Sequence, residues 1–371
     1  MTHENFMSEA LSLAERGRGW VSPNPMVGAL VVKDNHIIGR GWHQQFGGPH
    51  AEVFALREAG AAAAGATLYC TLEPCHHFGK TPPCIPTVIQ AGIRTVVLGA
   101  RDPNPVAGGG MEALQSSGVT VITGICEQEC RCLNAPFFKF VRTGLPLISL
   151  KWAMTADGKL ATAAGQSQWI TSEAAREFAH GLRARHDAVL IGINTLLADS
   201  ARLTCRVAIN DKIRQPQRVI LDSEARTPLD APLWTAVGGG PIVIFCKTSA
   251  PAARRVALQS RGADVVTLDS PLPSSSGVPL REMLIALGRR GVLSVLVEGG
   301  SAILGSFVDA RLADKAFIFV APKILGGRAS LSAVSGMGLG TLADCLELQA
   351  LEIARLGPDV LLSGQIGDWN W

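Results

Sequence analysis

The chain has 371 residues, 47% hydrophobic and 18% charged, with 34 basic and 31 acidic side chains for a formal net charge of +3. This is about twice the usual domain length with globular composition, so two domains with separate cores are expected and a disordered chain is excluded. So small a charge gives no argument for nucleic acid or an anionic membrane surface, and an anionic substrate must be held locally.

Residues 4–16 place Phe6, Met7, Ala10, Leu11 and Ala14 at helical spacing. The N-terminal MTHENFMSEALSLAERGRGW carries acids where a signal peptide has its apolar core, and no apolar run approaches the roughly 18 residues that span a bilayer. A cytoplasmic protein without membrane segments is expected. VGALVV and HIIGRGW read as strands joined through Lys33, Asp34 and Asn35. A helix from about His50, a strand at ATLYCTL, a helix from about Cys84, strands at RTVVLGA and VTVIT, and a helix from about 126 to 142 follow. Alternating β and α predicts a sheet with helices on its faces. RTGLP marks a boundary, giving domains at 1–145 and 146–371.

The second half begins again with a strand at LPLISLKWAMT and a helix after Thr171 and Ser172, whose hydroxyls suit an N-cap. Strands are predicted at DAVLIG, RVILD, PIVIFC, ADVVTL, LSVLVEG and KAFIFVAP, with helices near 251–261, 280–290 and 301–310. SPLPSSSGVP is the most loop-like stretch, and no internal repeat is present. LSVLVEGGSAILGSFV is a strand, a Gly-Gly turn and a helix, a weak signal for a phosphate-binding helix start, and it is not the dinucleotide-binding G-x-G-x-x-G.

Nine cysteines is an odd number, and without a secretion signal they read as thiols or metal ligands. Cys126, Cys130 and Cys132 are expected to pack as helical neighbours rather than to bind a second metal. Cys75 and Cys84, in EPCHHFGKTPPC, lie in a Pro- and Gly-punctuated loop, and HAEVFALREAG supplies His50 and Glu52. His50, Cys75 and Cys84 make the three protein ligands of a catalytic zinc with one open position, and Glu52 is the proton carrier. A closed structural site would recruit His76 or His77 as a fourth ligand, leaving the chain a scaffold. Because i and i+2 on a helix point about 200° apart, the ion must sit off the helix start. His-x-Glu followed by Pro-Cys is the pattern of zinc-dependent base deaminases.

The cysteines are separated by eight residues rather than two. That spacer, with SPNPMVGALVV, GWHQQFGGPHAE and ARDPNPVAGGG, closely resembles the deaminase half of the bifunctional riboflavin-biosynthesis deaminase-reductases. LKWAMTADGKLAT, GQSQWITS, LRARHDAVLIGINTLLADSARLTCR, VILDS and VEGGSAILGSF resemble the reductase half, so the resemblance covers the whole chain. It implies a cytidine-deaminase-like α/β/α domain followed by a dihydrofolate-reductase-like α/β domain. The implied cofactors are Zn²⁺ and NADPH, and the implied substrate is a phosphoribosylaminopyrimidine. Deamination to the uracil would be followed by reduction of the ribosyl group to ribityl, and a homo-oligomer is expected.

Carried over by motif, Asn24, His43, Lys80 and Asn104 would contact the deaminase substrate. Lys151, Asp199 and Glu298 would grip and polarise the sugar, Arg183 and Arg206 would take the 5′-phosphate, and Ser167 and Leu203 would be further contacts. Ala153, Trp169, Thr195, Asp199, Ser223, Gly299, Gly300 and Ser301 align with nucleotide-contacting positions. Ser200 and Ala201 depart from the family's usual Asp-Pro after Asp199, so a differently shaped loop is expected there. A bland residue-level reading stays open for several: turn chemistry for Asn24 and Asn104, solvated surface for Lys80 and Arg183, core packing for Trp169. The alternative function is a deaminase of another base or of RNA, with the second half serving recognition.

Overall fold

Thr2 starts the first helix: its hydroxyl accepts from the Asn5 N–H while the Asn5 side chain takes the Thr2 N–H, a reciprocal capping box. A computed structural model describes residues 1–209, 211–269 and 277–369. It divides into a unit of Met1–Gly144 and a second unit from Leu145 onward.

The first unit runs α1 (His3–Glu15), β1 (Gly28–Lys33), β2 (His36–Trp42), α2 (Ala51–Ala59), β3 (Thr67–Leu72), α3 (Cys84–Gln90), β4 (Thr95–Ala100), α4 (Gly110–Ser116), β5 (Thr120–Ile122), α5 (Glu127–Leu133) and α6 (Ala135–Thr143). Its sheet has the order β2-β1-β3-β4-β5. β1 pairs antiparallel with β2 and β3, and β3, β4 and β5 run parallel. Asp34 and Asn35 both take positive φ, 49° and 63°, which makes the tight hairpin turn. Successive strand residues feed opposite cores, Ala29 and Val31 on one face with α2 and α3, Leu30 and Val32 on the other with α1 and Phe138. Strands β1, β3 and β4 are therefore buried along nearly their whole length rather than alternating.

Helix α2 buries Ala51, Ala55 and Ala59 directly over β2. A Cβ on Gly41 would fall 2.1 Å from the Ala51 carbonyl oxygen, so only glycine there lets the helix lie this close. That contact sets where the start of α2 meets the rest of the unit.

The expected helix from 126 to 142 is two helices meeting at Asn134. Asn134 is 2% exposed and clamps Met26, accepting from its N–H at 2.7 Å and donating to its carbonyl at 2.8 Å. This tertiary bond stabilises a break that local periodicity hides. Helix α4, after a Gly-rich lead, was also not foreseen by the pattern.

The second unit runs β6 (Leu147–Thr155), β7 (Lys159–Ala161), α7 (Glu173–Arg185), β8 (Ala188–Gly192), α8 (Ile193–Asp199), β9 (Gln217–Leu221), β10 (Ile242–Cys246), α9 (Ala252–Ser260) and β11 (Ala263–Thr267). It continues with α10 (Leu280–Gly288), β12 (Ser294–Glu298), α11 (Ser301–Asp309), β13 (Lys315–Ala321), β14 (Leu331–Ser332), β15 (Leu348–Leu356) and β16 (Asp359–Ile366). The main sheet has the order β11-β10-β9-β8-β12-β6-β13-β16-β15, parallel from β11 to β13 and antiparallel beyond. Ser172 caps α7 through its hydroxyl, as its type predicts. Patterning does not announce β7, α8, β14, β15 or β16; β15 is solvent-exposed along most of its length, so no apolar alternation marks it. Residues 270–276 of SPLPSSSGVP lie outside the described residues.

Gly41→Ala should cost about 1–3 kcal/mol by overpacking, lowering the melting temperature and the zinc content per chain together. Gly181→Ala, on α7 where an added Cβ meets nothing within 4 Å, should leave both unchanged or raise stability slightly. Thermal unfolding with metal analysis on both variants checks the pair.

Candidate active sites

His50 is the N-cap of α2, in extended backbone, and Cys84 opens α3 after the N-cap Pro83. The two helix starts face one another's ligands, with the Cys84 N–H donating to the Cys75 carbonyl at 3.1 Å. His50 Nδ1 lies 3.4 Å from Cys75 Sγ and 3.3 Å from Cys84 Sγ, and the three ligand atoms lie within 4.8 Å of one another. Zinc bonds of about 2.0 Å to nitrogen and 2.3 Å to sulfur give a tetrahedral edge of about 3.6 Å, so the spacing fits a tetrahedral zinc. Hydrogen bonds from Cys84 and His50 favour the thiolate of Cys75, and the hydrogen bond that Cys84 gives to Cys75, with burial, pushes the Cys84 thiol up. A divalent cation relieves that conflict by taking both as thiolates. Neither His76 nor His77 joins the cluster, which among the described residues contains only these three. Cys126, Cys130 and Cys132 form no such group either.

Glu52, in the first turn of α2, is 3% exposed, and its Oε2 has no hydrogen-bond partner. Burial raises its carboxyl above the ordinary range while the neighbouring His50 pulls it back. It lines a cavity of about 220 Å³ with His50, Cys75, Asn24, His43, Lys80 and Asn104, so the structure gathers all the sequence-predicted residues of this half except Cys84 in one cavity wall.

His43 Nδ1 lies 3.0 Å from the Pro49 carbonyl and therefore carries the proton; its Nε2 accepts from Asn24 Nδ2 at 3.2 Å. Burial lowers its pKa and keeps it neutral. Lys80 is exposed, with Nζ 4.0 Å from the Phe46 ring centroid. Asn104 accepts from the Val106 N–H at 3.0 Å, so the turn role of an Asn-Pro pair coexists with its place in the cavity.

Sequence reasoning passed over Glu73, Thr81 and Asp102, all in the cavity wall. Glu73 accepts from the Asp102 N–H at 3.1 Å and the Met111 N–H at 2.9 Å, tying down both ends of the loop that carries Asn104. Burial pushes the Asp102 carboxyl up to about 6. Only the glutamate within EPC and the aspartate within ARDPNP hinted at these partners, because their bonds run to backbone amides distant in sequence.

In the second unit, the parallel register pairs Glu298 on β12 with Lys151 on β6. Arg183 reaches over from α7 and binds Glu298 bidentately, at 2.6 and 2.8 Å, and the Thr204 carbonyl at 2.9 Å. Lys151 Nζ lies 3.9 Å from the same carboxylate. Burial works against the charged form of Glu298, but the Arg183 guanidinium overrides it and holds the carboxyl at about 2. Burial lowers the pKa of Lys151. Arg183 thus stands in a buried ion pair rather than on a solvated surface, with part of its donor capacity already committed.

Asp199 ends α8, exposed, and accepts from the Ser167 hydroxyl at 3.2 Å. The departing residue Ser200 closes the helix in left-handed backbone, φ 47°. Leu203 is 3% exposed and packs in a core cluster with Ile191, Leu196 and Ile220, so only its backbone is available to a ligand. Arg206 is exposed nearby in sequence. Trp169 is 65% exposed, with the Arg176 guanidinium 4.5 Å from its ring centroid, so it is not a core residue.

Thr195 presses on the Gly299-Gly300 turn: a Cβ on Gly300 would meet its Oγ1 at 2.8 Å. Ser301 opens α11 with its hydroxyl buried and unpartnered. Ser223 follows β9 and Ala153 lies on β6, so these groups border the carboxyl ends of adjacent parallel strands, where open α/β sheets bind nucleotides. A side-chain-free turn, a helix start and an orphaned buried hydroxyl together fit a cofactor phosphate.

Comparison with known proteins matches residues 1–100 to the cytidine and deoxycytidylate deaminase zinc-binding region and residues 146–362 to the RibD C-terminal domain. The chain is 43% identical to riboflavin biosynthesis protein RibD of Bacillus amyloliquefaciens, covering 97% of this chain and 95% of that protein. The chain belongs to the RibD family. RibD of Escherichia coli is 40% identical, with 98% and 99% covered. One crystal form of Acinetobacter baumannii RibD superposes with a TM-score of 0.87 at 36% identity, over 98% of this chain and 99% of that one. A diaminohydroxyphosphoribosylaminopyrimidine deaminase/5-amino-6-(5-phosphoribosylamino)uracil reductase of Thermotoga maritima gives 0.85 at 36%, with 98% of each chain covered. As a RibD, the chain is a bifunctional deaminase and reductase of riboflavin biosynthesis acting on a small-molecule substrate. The second half is thus a reductase domain. No helix among the described residues is long and apolar enough to cross a membrane.

Glu298→Gln should destabilise the chain by about 3 kcal/mol, because Arg183, only partly exposed, loses its counterion. The folded pKa of Glu298 is depressed, so its contribution is present above the ordinary 4.5 and lost as pH falls towards about 2. The stability gap between the two proteins, followed by denaturant unfolding, should therefore close over that interval.

Proposed function

We propose that residues 1–145 deaminate 2,5-diamino-6-(5-phosphoribosylamino)pyrimidin-4(3H)-one at C2, and that residues 146–371 reduce the ribosyl group of the resulting uracil to ribityl with NADPH. The observation that carries the first assignment is the convergence of His50, Cys75 and Cys84 beside the buried carboxylate of Glu52, whose Oε2 has no hydrogen-bond partner. Those three residues hold zinc, which when bound supplies a Lewis acid able to activate water at neutral pH. Glu52 would take a proton from the attacking water and deliver it to the amino group leaving as ammonia, a transfer helped by burial, which raises its carboxyl above the ordinary range. Neutral His43, held by Pro49, and Asn24 read the ring edge. Lys80 meets the phosphate as a point charge and Asn104 contacts the substrate from the opposite loop.

In the second unit NADPH supplies the hydride that reduces C1. Lys151, its pKa lowered by burial, polarises the ribose oxygen and gives up a proton more readily than an exposed lysine. Glu298 keeps Lys151 and Arg183 in place, Asp199 and Ser167 bind sugar hydroxyls, and Arg183 and Arg206 face the 5′-phosphate with the Leu203 backbone beside them. Ala153, Trp169, Thr195, Ser223, Gly299, Gly300 and Ser301 would hold the cofactor. The near-neutral charge supports a reading without nucleic acid, and nine cysteines in no disulfide support the reducing cytoplasm. Exposed Leu351 and Ile353 on the edge strand β15 support a homo-oligomer.

Glu52→Gln should retain zinc, lose about 10²–10⁴-fold in ammonia release, and oxidise NADPH normally when given the uracil intermediate. Lys151→Met should show the reverse. Parallel ammonia and NADPH assays on both variants decide it; a Glu52→Gln chain that cannot use supplied uracil intermediate would overturn the division of labour.

A further inference from the structure

We propose that Thr81 is the positioning residue that fixes the ring tautomer and orientation of His50, and so tunes zinc affinity. The proposal rests on the zinc assignment above. His50 turns Nδ1 to both sulfurs and Nε2 to the Thr81 hydroxyl, 3.2 Å away. A metal on Nδ1 occupies that lone pair, so the neutral ring carries its proton on Nε2 and must donate it; Thr81 Oγ1 is the acceptor. A ligating histidine whose second nitrogen is held in this way has its ring plane fixed and its basicity raised.

The position of Thr81 in the chain makes the bond informative. It lies within the eight-residue spacer between Cys75 and Cys84, three residues before the second sulfur. The spacer therefore loops out from one ligand, touches the back of the His50 ring, and returns to the other ligand at the start of α3. The ring is also flanked edge-on by His43, with centroids 5.4 Å apart. Nothing on the α2 side replaces the hydroxyl, since His50 makes no side-chain capping bond to its own helix. Because the hydroxyl accepts from His50, its own hydrogen remains to be donated to a second acceptor, and Thr81 lies in the cavity wall beside Lys80.

The test compares zinc affinity, by competition with a colorimetric chelator, in the full-length unaltered protein, Thr81→Val and Thr81→Ser. Valine keeps the shape and removes the acceptor, and should weaken zinc about 10–100-fold. Serine keeps the acceptor and should stay within about threefold of the unaltered protein on the same scale. Cobalt-loaded Thr81→Val should retain its thiolate charge-transfer bands, showing that the ligands themselves are intact. Should the valine variant fold poorly, long-range ¹H–¹⁵N correlation of the zinc-loaded unaltered protein reads the tautomer directly, with the His50 proton on Nε2. Equal zinc affinity in valine and unaltered protein, a serine variant as weak as valine, or a proton on Nδ1 would each overturn the proposal. Absence of zinc binding in the unaltered protein would instead overturn the metal assignment beneath it.

Discussion

Helix α2 rests with its Ala51 and Ala55 backbone against Gly39 and Gly41 of β2, closer than any side chain on that strand would permit. The contact is van der Waals in kind and carries no chemistry, yet His50 and Glu52 stand at the end of the helix it seats. The sulfurs arrive on a different stretch of chain, one just past the end of β3 and one at the start of α3. A zinc shell tolerates errors of only a few tenths of an ångström, so packing between an alanine face and a glycine strand sets the precision of the metal chemistry.

The two sites handle buried carboxylates in opposite ways. Glu52 is left with one oxygen unpaired, and burial raises its carboxyl above the ordinary range. Glu298 is saturated by Arg183 and approached by Lys151, which holds it ionised through any physiological pH. The second arrangement spends desolvation energy on geometry, since a buried ion pair adds little net stability while its directional bonds fix where Lys151 stands. One carboxylate titrates and the other holds its neighbours in place.

The sequence made the metal ligands legible because thiols in a Pro- and Gly-rich loop and a histidine at a helix start have few other uses. It made the parallel strands legible through their continuous apolar runs. The break at Asn134 stayed hidden because a side-chain clamp on Met26, 108 residues away, decides it. Thr81 and Glu73 were hidden for the same reason: their partners are a ring nitrogen and backbone amides brought near only by the fold. Strand β15 escaped because it buries too little to leave a period, and motif alignment does not say which way a side chain turns, so the burial of the Leu203 side chain was not legible either. Local pattern reports what a segment buries, and chemistry-bearing residue types report what it can bind; long-range hydrogen bonding reports itself in neither.

The pairing of Glu298 with Lys151 across β12 and β6 has a consequence for how this chain can vary. Side chains in a strand alternate between faces, so a single-residue insertion or deletion upstream in either strand would send one of the two to the opposite side of the sheet. The loop between β4 and α4, by contrast, is anchored at its ends by Glu73 and can change its middle by small steps. Tolerance to length change is therefore graded around the zinc cavity and all-or-none in the reductase sheet. A lineage could remodel the zinc cavity through successive working intermediates, whereas the Lys151 and Glu298 pair can be inherited whole or lost.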